Sequence, residues 1–304
     1  MFGISTVWRS KAAGTGEELV KKLEDTGIPG VELEYRITTE KFEQVKKALK
    51  SSSLKVLSIH NYMPHPDILP ESKVSGDALL LSSTDEDERK LAVKYTLRSI
   101  QNAHDLEAGA VVLHLGKVDI PKDREQFFNM FDSDGFKNEA GKTFLNNKLK
   151  ERQAKQEKNF DAVLFSLDQL NEEALKLNIM LGAENRYYCT EIPNYEEVGL
   201  ILNTFDGGNI GYWHDCGHAQ AAQVFGLKNH ETFLKAYSDH LVGIHLHDCK
   251  DYNDHIAPGM GDIDFDMIQK YLNDDVIRII EVNRHVELSD LKNGVTYLKS
   301  KNII

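Results

Sequence analysis

Short apolar runs rich in Val, Ile and Leu recur along the whole chain, and amphipathic segments with a helical period lie between them. Such runs are typical of buried β-strands, whereas apolar positions every three to four residues are typical of helices that cover a sheet. The pattern predicts eight strands at Phe2–Ser5, Val31–Tyr35, Val56–His60, Ala110–Leu115, Ile179–Glu184, Ile210–Asp215, Val242–His247 and Val276–Glu281. It predicts helices over residues 16–26, 39–50, 86–106, 147–177, 194–204, 229–240, 264–272 and 286–300.

Strands and helices therefore alternate, which favours a parallel sheet with helices packed on its outside. Eight such units predict closure into a (β/α)8 TIM barrel, with residues 1–304 forming a single domain. The main rival is an open doubly wound sheet. That fold usually carries a GxGxxG motif after its first strand, and the sequence has none there.

Two connections are longer than a barrel requires. Residues 63–84 follow the third predicted strand, and residues 117–146 follow the fourth; each of these strands carries a histidine near its end. Loops of this length are often functional lids, but they are also found as surface decoration. Both interpretations stay open for the two loops.

Composition places the chain among ordinary soluble proteins. Hydrophobic residues make up 41% and charged residues 28%, which excludes collagen-like, disordered and membrane-embedded classes. The net charge of −12 gives no basic footprint and disfavours a nucleic-acid partner. Three cysteines without a CxxC pair, and an N-terminus that does not resemble a signal peptide, predict a reduced, cytoplasmic protein without a membrane span.

The carboxyl ends of the later predicted strands share metal-capable side chains. These are His60, His114, Glu184, Asp215, His245, His247 and Glu281. In a barrel all strand ends of this kind converge on one face. One histidine could be a core residue and one glutamate could form a structural ion pair, but so many on a single rim indicate a shared site.

Local spacing refines this candidate site. In the segment WHDCGHA, Asp215 and His218 are three residues apart at the end of a strand, so both can face the same mouth. Alternation along a strand directs His245 and His247 to one side, and the deeper of the two is the better ligand. Carboxylates with imidazole suit Mn, Mg, Co, Fe or Zn, and the additional histidines favour Mn, Fe or Zn over Mg.

The loop DYNDHIAPGMGDIDF follows the seventh predicted strand and contains His255. Gly259 and Gly261 are consistent with a turn before a helix capped by Asp262 or Asp264. They are also consistent with a backbone that approaches a bound substrate. Arg186, Lys250 and Arg284 each lie just beyond a candidate ligand and are candidates for binding substrate hydroxyls or a phosphate, or are solvated rim residues.

The motifs SIHNYMPHP, VVLHLG, GAEN, WHDCGHA, IHLHD and PGMGDIDF occur in this order. Together they resemble the xylose-isomerase-like TIM-barrel superfamily, which contains sugar-phosphate isomerases and epimerases and the endonuclease IV type of apurinic-site nuclease (AP endonuclease family 2). The resemblance covers essentially the whole chain apart from the two long loops.

For the isomerase and epimerase branch, the resemblance implies one divalent metal held by Glu184, Asp215, His245 and Glu281, with Mn or Zn favoured. His218 would contact the substrate. The two glutamates would transfer a proton α to a carbonyl, one removing it and the other returning it. The expected partner is a small carbohydrate: a sugar, sugar phosphate or polyol.

For the nuclease branch, the resemblance implies three zinc ions and an abasic-DNA phosphodiesterase. His60 and His114 would join Glu184, while His218 and His255 would hold the third ion with an aspartate. That branch has its aspartate two residues before the histidine; this sequence has Asn253 there and Asp254 one position later. A non-catalytic, metal-containing sugar-binding barrel is a third hypothesis, and a homodimer is the default oligomer.

Overall fold

The computed structural model describes residues 1–304, except for the side chain of Lys137. Its strands are β1 Phe2–Ser5, β2 Gly30–Leu33, β3 Lys55–His60, β4 Ala110–Leu113, β5 Gly116–Lys117, β6 Met180–Glu184, β7 Glu191–Ile192, β8 Ile210–Asp215, β9 Leu241–Leu246, β10 Asp248–Lys250, β11 Asn253–Ile256 and β12 Ile277–Ile280. Its helices are α1 Gly16–Glu24, α2 Thr39–Leu49, α3 Glu86–Asp105, α4 Arg124–Asp132, α5 Glu139–Leu177, α6 Tyr195–Thr204, α7 Cys216–Val224, α8 His230–Tyr237, α9 Phe265–Gln269 and α10 Leu288–Ser300.

Eight of the described strands close into a parallel barrel in the order β1-β12-β9-β8-β6-β4-β3-β2. The predicted TIM barrel is therefore confirmed, and each of its eight strands overlaps one predicted from the apolar runs. The remaining strands form two antiparallel ribbons, β5 with β7 and β10 with β11. Because barrel strands are parallel, all their carboxyl ends lie on one face.

Short polar side chains begin the helices as the sequence indicates. The Thr15 hydroxyl accepts a hydrogen bond from the backbone N–H of Glu18 at 3.1 Å at the start of α1. Asn194 and Glu197 form a reciprocal capping box at the start of α6. These bonds satisfy N–H groups that have no partner inside the helix, so they fix where each helix begins.

The prediction for residues 117–146 was wrong in one respect. This segment is not an extended loop: it contains α4, and α5 begins at Glu139 rather than at residue 147. Its phenylalanines pack against residues that follow β6 and α7, in an aromatic cluster that includes Phe127, Tyr188 and Phe225. Tertiary packing of these rings, rather than a regular apolar period, accounts for α4. Sequence reasoning missed this helix and also α7, which begins directly after β8.

The barrel has a double-layered core. Inside the strands, Trp213 packs with Val112 and Ile279, and outside them the apolar faces of the helices cover the sheet. In the described part of the chain, no helix has the length and apolar character needed to cross a membrane.

Candidate metal centre

Four neighbouring barrel strands bring a carboxylate or imidazole to the same place. Glu184 ends β6, Asp215 ends β8, His245 lies one residue before the end of β9, and Glu281 follows β12 directly. These strands are consecutive around the barrel. The convergence expected from the sequence is therefore produced by adjacent strands, with Glu184 and Glu281 at the two ends of the set.

His245 lies at the middle of this four-residue set. Its Nδ1 is 2.8 Å from Oε1 of Glu184, 3.1 Å from Oε2 of Glu281 and 3.5 Å from Oδ2 of Asp215. The ligand-capable atoms of all four residues lie within 4.8 Å of one another, and all four residues are buried. Buried carboxylates must be paired or coordinate a metal, so the donor set and its spacing fit one divalent cation.

A second ligand set shares Glu184. The other oxygen of this carboxylate, Oε2, is 2.7 Å from Nε2 of His114 and 3.8 Å from Nε2 of His60. The two imidazole rings meet edge to face with centroids 4.8 Å apart. Because its two oxygens face different sets, Glu184 belongs to both groups of candidate ligands.

A third set consists of His218, Asp254 and His255. Oδ1 of Asp254 is 3.1 Å from Nδ1 of His255, and its Oδ2 is 4.0 Å from Nε2 of His218. The displacement of the aspartate by one position therefore does not remove it from this set. The β10–β11 hairpin has a register shift, and His255 adopts a left-handed backbone conformation with φ of 58°, so both side chains reach the same side.

His247 supports the centre from a different direction. Its Nε2 lies 3.1 Å from both oxygens of Asp215, and its Nδ1 accepts a hydrogen bond from the backbone N–H of His255 at 2.8 Å. With Nδ1 accepting, the ring proton is on Nε2 and is donated to Asp215. His247 belongs to a group with Asp215, His255 and Glu281 whose atoms could also hold an ion.

The local sequence around Asp215 explains how two histidines fit beside it. Asp215 is the N-cap of α7, and its Oδ1 accepts the backbone N–H of His218 at 2.7 Å. A Cβ on Gly217 would lie 2.1 Å from Cε1 of His247, closer than atoms can approach. Glycine in WHDCGHA is therefore required by the approach of His247.

Two imidazole groups, those of His114 and His245, stabilise the charged form of Glu184. Burial raises the pKa of Glu184, but His114 and His245 outweigh it and hold that pKa well below its usual range. Burial lowers the pKa of His114, but the carboxylates of Asp77 and Glu184 outweigh burial and raise it to about 9. The pKa of His245 is raised well above its ordinary value because Glu281 and Glu32 outweigh its burial.

Glu32 is a functional candidate that sequence reasoning missed. Its side chain, on β2, is fully buried, and its Oε2 lies 3.2 Å from Nε2 of His245 and accepts a 2.8 Å hydrogen bond from the hydroxyl of Ser58. The signal was present as a carboxylate inside the apolar run GVEL. A carboxylate within a buried apolar run must be paired or bound to a metal, and this argument, which selected Glu184, applies equally to Glu32.

The three basic candidates occupy different environments. Arg186 is buried, with 3.0 Å to Asp77, 3.3 Å to Glu184 and 3.6 Å to Glu191. Lys250 is exposed and pairs with an aspartate on its own loop, Asp262, at 2.6 Å. Arg284 is exposed on the loop after β12, where its Nε contacts the ring of the adjacent histidine. A role in substrate binding stays a prediction for all three.

The loop before α9 has a structural explanation. Oδ1 of Asp248 accepts the backbone N–H of Ile263 at 3.1 Å, and its Oδ2 accepts that of Gly259 at 2.8 Å. A Cβ on Gly261 would lie 2.4 Å from the same carboxylate. Asp264 caps α9. The turn interpretation of PGMGDIDF accounts for these contacts.

Residues 63–84 contact a candidate ligand directly, whereas residues 117–146 reach the centre only through an aromatic cluster. Residues 63–84 supply Asp77, whose Oδ1 is 3.4 Å from Nδ1 of His114. Residues 117–146 supply part of the aromatic cluster of Phe127, Tyr188 and Phe225, which also contains Tyr187. The ring of Tyr187 lies 6.1 Å from that of His218, so the aromatic cluster forms a wall beside the candidate ligands.

Comparison with known proteins gives a family and a set of similar folds. The family model described as xylose isomerase-like TIM barrel matches residues 20–301. No curated protein matches the sequence.

Similar solved structures include a D-tagatose 3-epimerase-like protein, with a TM-score of 0.69, 19% identity and coverage of 99% of this chain and 96% of that one. A putative xylose isomerase from Rhodospirillum rubrum has a TM-score of 0.71, 16% identity and 98% coverage of both chains. An IolI protein with a binding zinc atom has a TM-score of 0.65, 14% identity and coverage of 99% and 97%. At such identities the likeness establishes the fold.

Proposed function

Because the chain belongs to the xylose isomerase-like TIM barrel family, we propose that it is a divalent-metal-dependent isomerase or epimerase of a small sugar, sugar phosphate or polyol that carries a carbonyl group. The observation that carries the proposal is the buried set of Glu184, Asp215, His245 and Glu281, whose possible ligand atoms all lie within 4.8 Å of one another. Similar folds that are described as a D-tagatose 3-epimerase-like protein and an L-ribulose 3-epimerase support the substrate class.

The four residues of this set would hold the cation, with Mn or Zn favoured by the mixed oxygen and nitrogen donors. When bound, the cation would neutralise the carboxylates and polarise the carbonyl oxygen of the sugar. The side chains of Glu32 and His247 would hold His245 and Asp215 in position through the hydrogen bonds described above.

Glu184 and Glu281 are the residues proposed to move the proton. They come from opposite ends of the row of four strands, so a sugar bound over the four-residue set would meet one carboxylate at each end of that row. One glutamate removes the proton from the carbon α to the carbonyl, and the other returns a proton to the neighbouring position or to the opposite face. His218 is partly buried beside Asp215, and its Nδ1 donates a hydrogen bond to the backbone carbonyl of Asn185 at 3.0 Å. Its Nε2 would therefore accept a hydrogen bond from a substrate hydroxyl.

Proton exchange tests this proposal directly. The metal-loaded protein should exchange the α-proton of its sugar substrate with deuterated water, and Glu184→Gln and Glu281→Gln should each reduce exchange and turnover by more than about 10³-fold with the fold intact. Glu43→Gln, at an exposed position on α2, serves as the control. Full turnover in either active-site variant would contradict the mechanism; a metal required only for stability, with no exchange, would indicate the non-catalytic barrel.

A zinc phosphodiesterase is the second candidate function. It is favoured by the two additional ligand sets, His60 with His114 and Glu184, and His218 with Asp254 and His255. This alternative requires about three zinc ions per chain and cleavage at an abasic site in DNA. Elemental analysis that finds one ion per chain would exclude it.

A further inference from the structure

Asn185 follows β6 directly and contacts two of the residues that the proposed function uses. Its side-chain Oδ1 accepts the backbone N–H of Asp215 at 2.8 Å, and its Nδ2 donates to the backbone carbonyl of Asp215 at 3.0 Å. Its own backbone carbonyl accepts a hydrogen bond from Nδ1 of His218 at 3.0 Å. One fully buried residue therefore holds both a candidate metal ligand and the candidate substrate contact.

The side chain of Asn185 takes the place of a strand residue beside Asp215. β6 ends at Glu184, whose register partner on β8 is Trp213, so Asp215 lies beyond the paired part of the two strands. The amide of Asn185 fills this position and pairs with both backbone groups of Asp215. Because an N–H can only donate and a carbonyl can only accept, the amide is held with Oδ1 towards the N–H and cannot be turned over.

Three further side chains continue this contact away from the metal centre. Oδ1 of Asn185 lies 3.0 Å from the hydroxyl of Tyr212, and that hydroxyl lies 2.7 Å from Nδ1 of His214. Nε2 of His214 lies 3.0 Å from Nε2 of His230. These three side chains are at most 2% exposed, so the polar atoms along the chain must satisfy one another.

The fixed amide of Asn185 sets the direction of the hydrogen-bond chain. Its Oδ1 can only accept, so the single hydroxyl proton of Tyr212 is donated to it. The tyrosine oxygen then accepts from Nδ1–H of His214. A second proton on His214 would place a cation in a buried site with no carboxylate in contact among the described residues, so its Nε2 accepts from Nε2–H of His230.

The far end of the chain can adapt to this direction. Nδ1 of His230 lies 3.2 Å from Oε1 of Gln220, but in the direction derived above this nitrogen has no proton to donate. Turning the amide of Gln220 over presents its Nε2 instead and leaves the shape of the side chain unchanged. Asn185 has no such freedom, because the backbone of Asp215 binds both ends of its amide.

We propose that Asn185 is a positioning residue for the metal centre, and that the hydrogen-bond chain that begins at His230 holds its amide in place. The inference rests on the proposed function, which assigns Asp215 to the metal and His218 to the substrate. A displaced Asn185 would shift the backbone of Asp215, and with it the carboxylate, and would release the ring of His218. Losing a partner behind a ligand usually weakens metal binding by about 10- to 100-fold.

The tautomers of the two histidines test the direction of the chain. Long-range ¹⁵N–¹H NMR on the zinc-loaded protein at about pH 8 should show the proton of His214 on Nδ1 and that of His230 on Nε2, with His214→Asn and His230→Gln assigning the signals. Tyr212→Phe removes the acceptor of His214, so this preference should be lost. Tyr237→Phe should retain it, because that hydroxyl donates to the backbone carbonyl of Tyr195 outside the chain. Protons on Nε2 of His214 and Nδ1 of His230 would overturn the proposed chain.

Metal titration tests the positioning role. Asn185→Leu removes the amide at similar size and should lower the affinity of the folded protein for Zn or Mn by about tenfold or more. Tyr212→Phe leaves both bonds to Asp215 and should lower the affinity by about two- to tenfold, the effect of one hydrogen bond. It also tests the role if the leucine variant does not fold. Tyr237→Phe is the matched control and should bind the metal as the native protein does.

The outcomes separate this inference from the proposed function. If the amide only stabilised the fold, Asn185→Leu and Tyr212→Phe would unfold earlier but bind the metal as tightly as the native protein, so equal affinities would overturn the positioning role. Affinities that fall as expected, in a protein that neither turns over a sugar nor exchanges its α-proton, would contradict only the proposed function. Sugar turnover together with equal affinities would contradict only the positioning role.

Discussion

Glu32 and His245 meet on the side of the imidazole ring that faces away from the ligand set. Oε2 of Glu32 lies 3.2 Å from Nε2 of His245, whereas Nδ1 of the same ring faces Glu184 at 2.8 Å. A carboxylate at Nε2 fixes the proton there and leaves Nδ1 free to bind a cation. Glu32 is therefore a positioning residue for the candidate metal ligand.

Removing this carboxylate charge should weaken metal binding while the four ligands remain. We expect Glu32→Gln to lower the affinity for Mn or Zn by about 10- to 100-fold, the usual effect of losing such a partner. Metal titration of the folded protein measures it. Glu34→Gln is the control, because Glu34 is also buried but contacts Ser10 and Arg36 instead. Equal affinities for the native and Glu32→Gln proteins would contradict the positioning role.

Replacing Arg186 should lower the free energy of unfolding far more than replacing Lys250. Arg186→Met leaves the buried carboxylates of Glu184 and Glu191, and the partly exposed one of Asp77, without their common cation, which should cost about 3–5 kcal/mol of unfolding free energy. Lys250→Met, at an exposed ion pair, should leave the unfolding midpoint unchanged. Denaturant unfolding of both variants measures the difference; similar midpoints would show that the carboxylates do not depend on Arg186.

The requirement for glycine at position 217 is also testable. Gly217→Ala forces its Cβ against His247 and should cost about 1–3 kcal/mol of unfolding free energy, with weaker metal binding because His247 moves relative to Asp215. Gly14→Ala, whose Cβ would have its nearest neighbour at 3.4 Å, should stay within about 0.5 kcal/mol of the native protein. A tolerated alanine at 217 would mean that His247 can adjust without loss.

Acid should destabilise the fold through a buried histidine pair. Nε2 of His230 is 3.0 Å from Nε2 of His214, and burial lowers the pKa of His230 from 6.5 to about 4. Between pH 4 and pH 6.5, His230 is therefore protonated in the unfolded chain but not in the folded chain. The stabilisation is complete above pH 6.5 and is lost as the pH falls towards 4, by on the order of 3 kcal/mol over that window.

Melting temperatures measured across pH 4–7 check this slope. His230→Gln should remove the part of the pH-dependent loss of melting temperature that comes from His230. His104→Gln, at an exposed position on α3, should keep the pH dependence of the native protein. Parallel profiles for all three proteins would show that the histidine pair has no part in acid unfolding.

The barrel was predictable because its strands are nearly continuous apolar runs, and a parallel topology places their carboxyl ends together. This reasoning selected, without any distance, the strand-end residues His60, His114, Glu184, Asp215, His245, His247 and Glu281. The narrower set of Glu184, Asp215, His245 and Glu281 came from the resemblance to the family. Glu32 could have been selected by the same reasoning, but it lies inside β2 rather than at its end. A rule based only on strand ends therefore overlooked it.

Other features depend on contacts that no local pattern encodes. The reach of Asp254 into the third ligand set follows from the backbone of the β10–β11 hairpin. Arg186 is paired with Asp77, which lies more than one hundred residues earlier in the chain, and no local pattern predicts this contact. A cytoplasmic location and a homodimer stay predictions.

Helix α5 runs without interruption for 39 residues, from the aromatic cluster to the barrel wall, a length of about 58 Å. Its first residues pack against the short helical turn at residues 135–137, and its later part packs against α3. One continuous helix thus connects the aromatic cluster beside His218 with the outside of the barrel. Insertions or substitutions in residues 117–146 will therefore change both the shape of the candidate site's opening and the packing of α5 on the barrel.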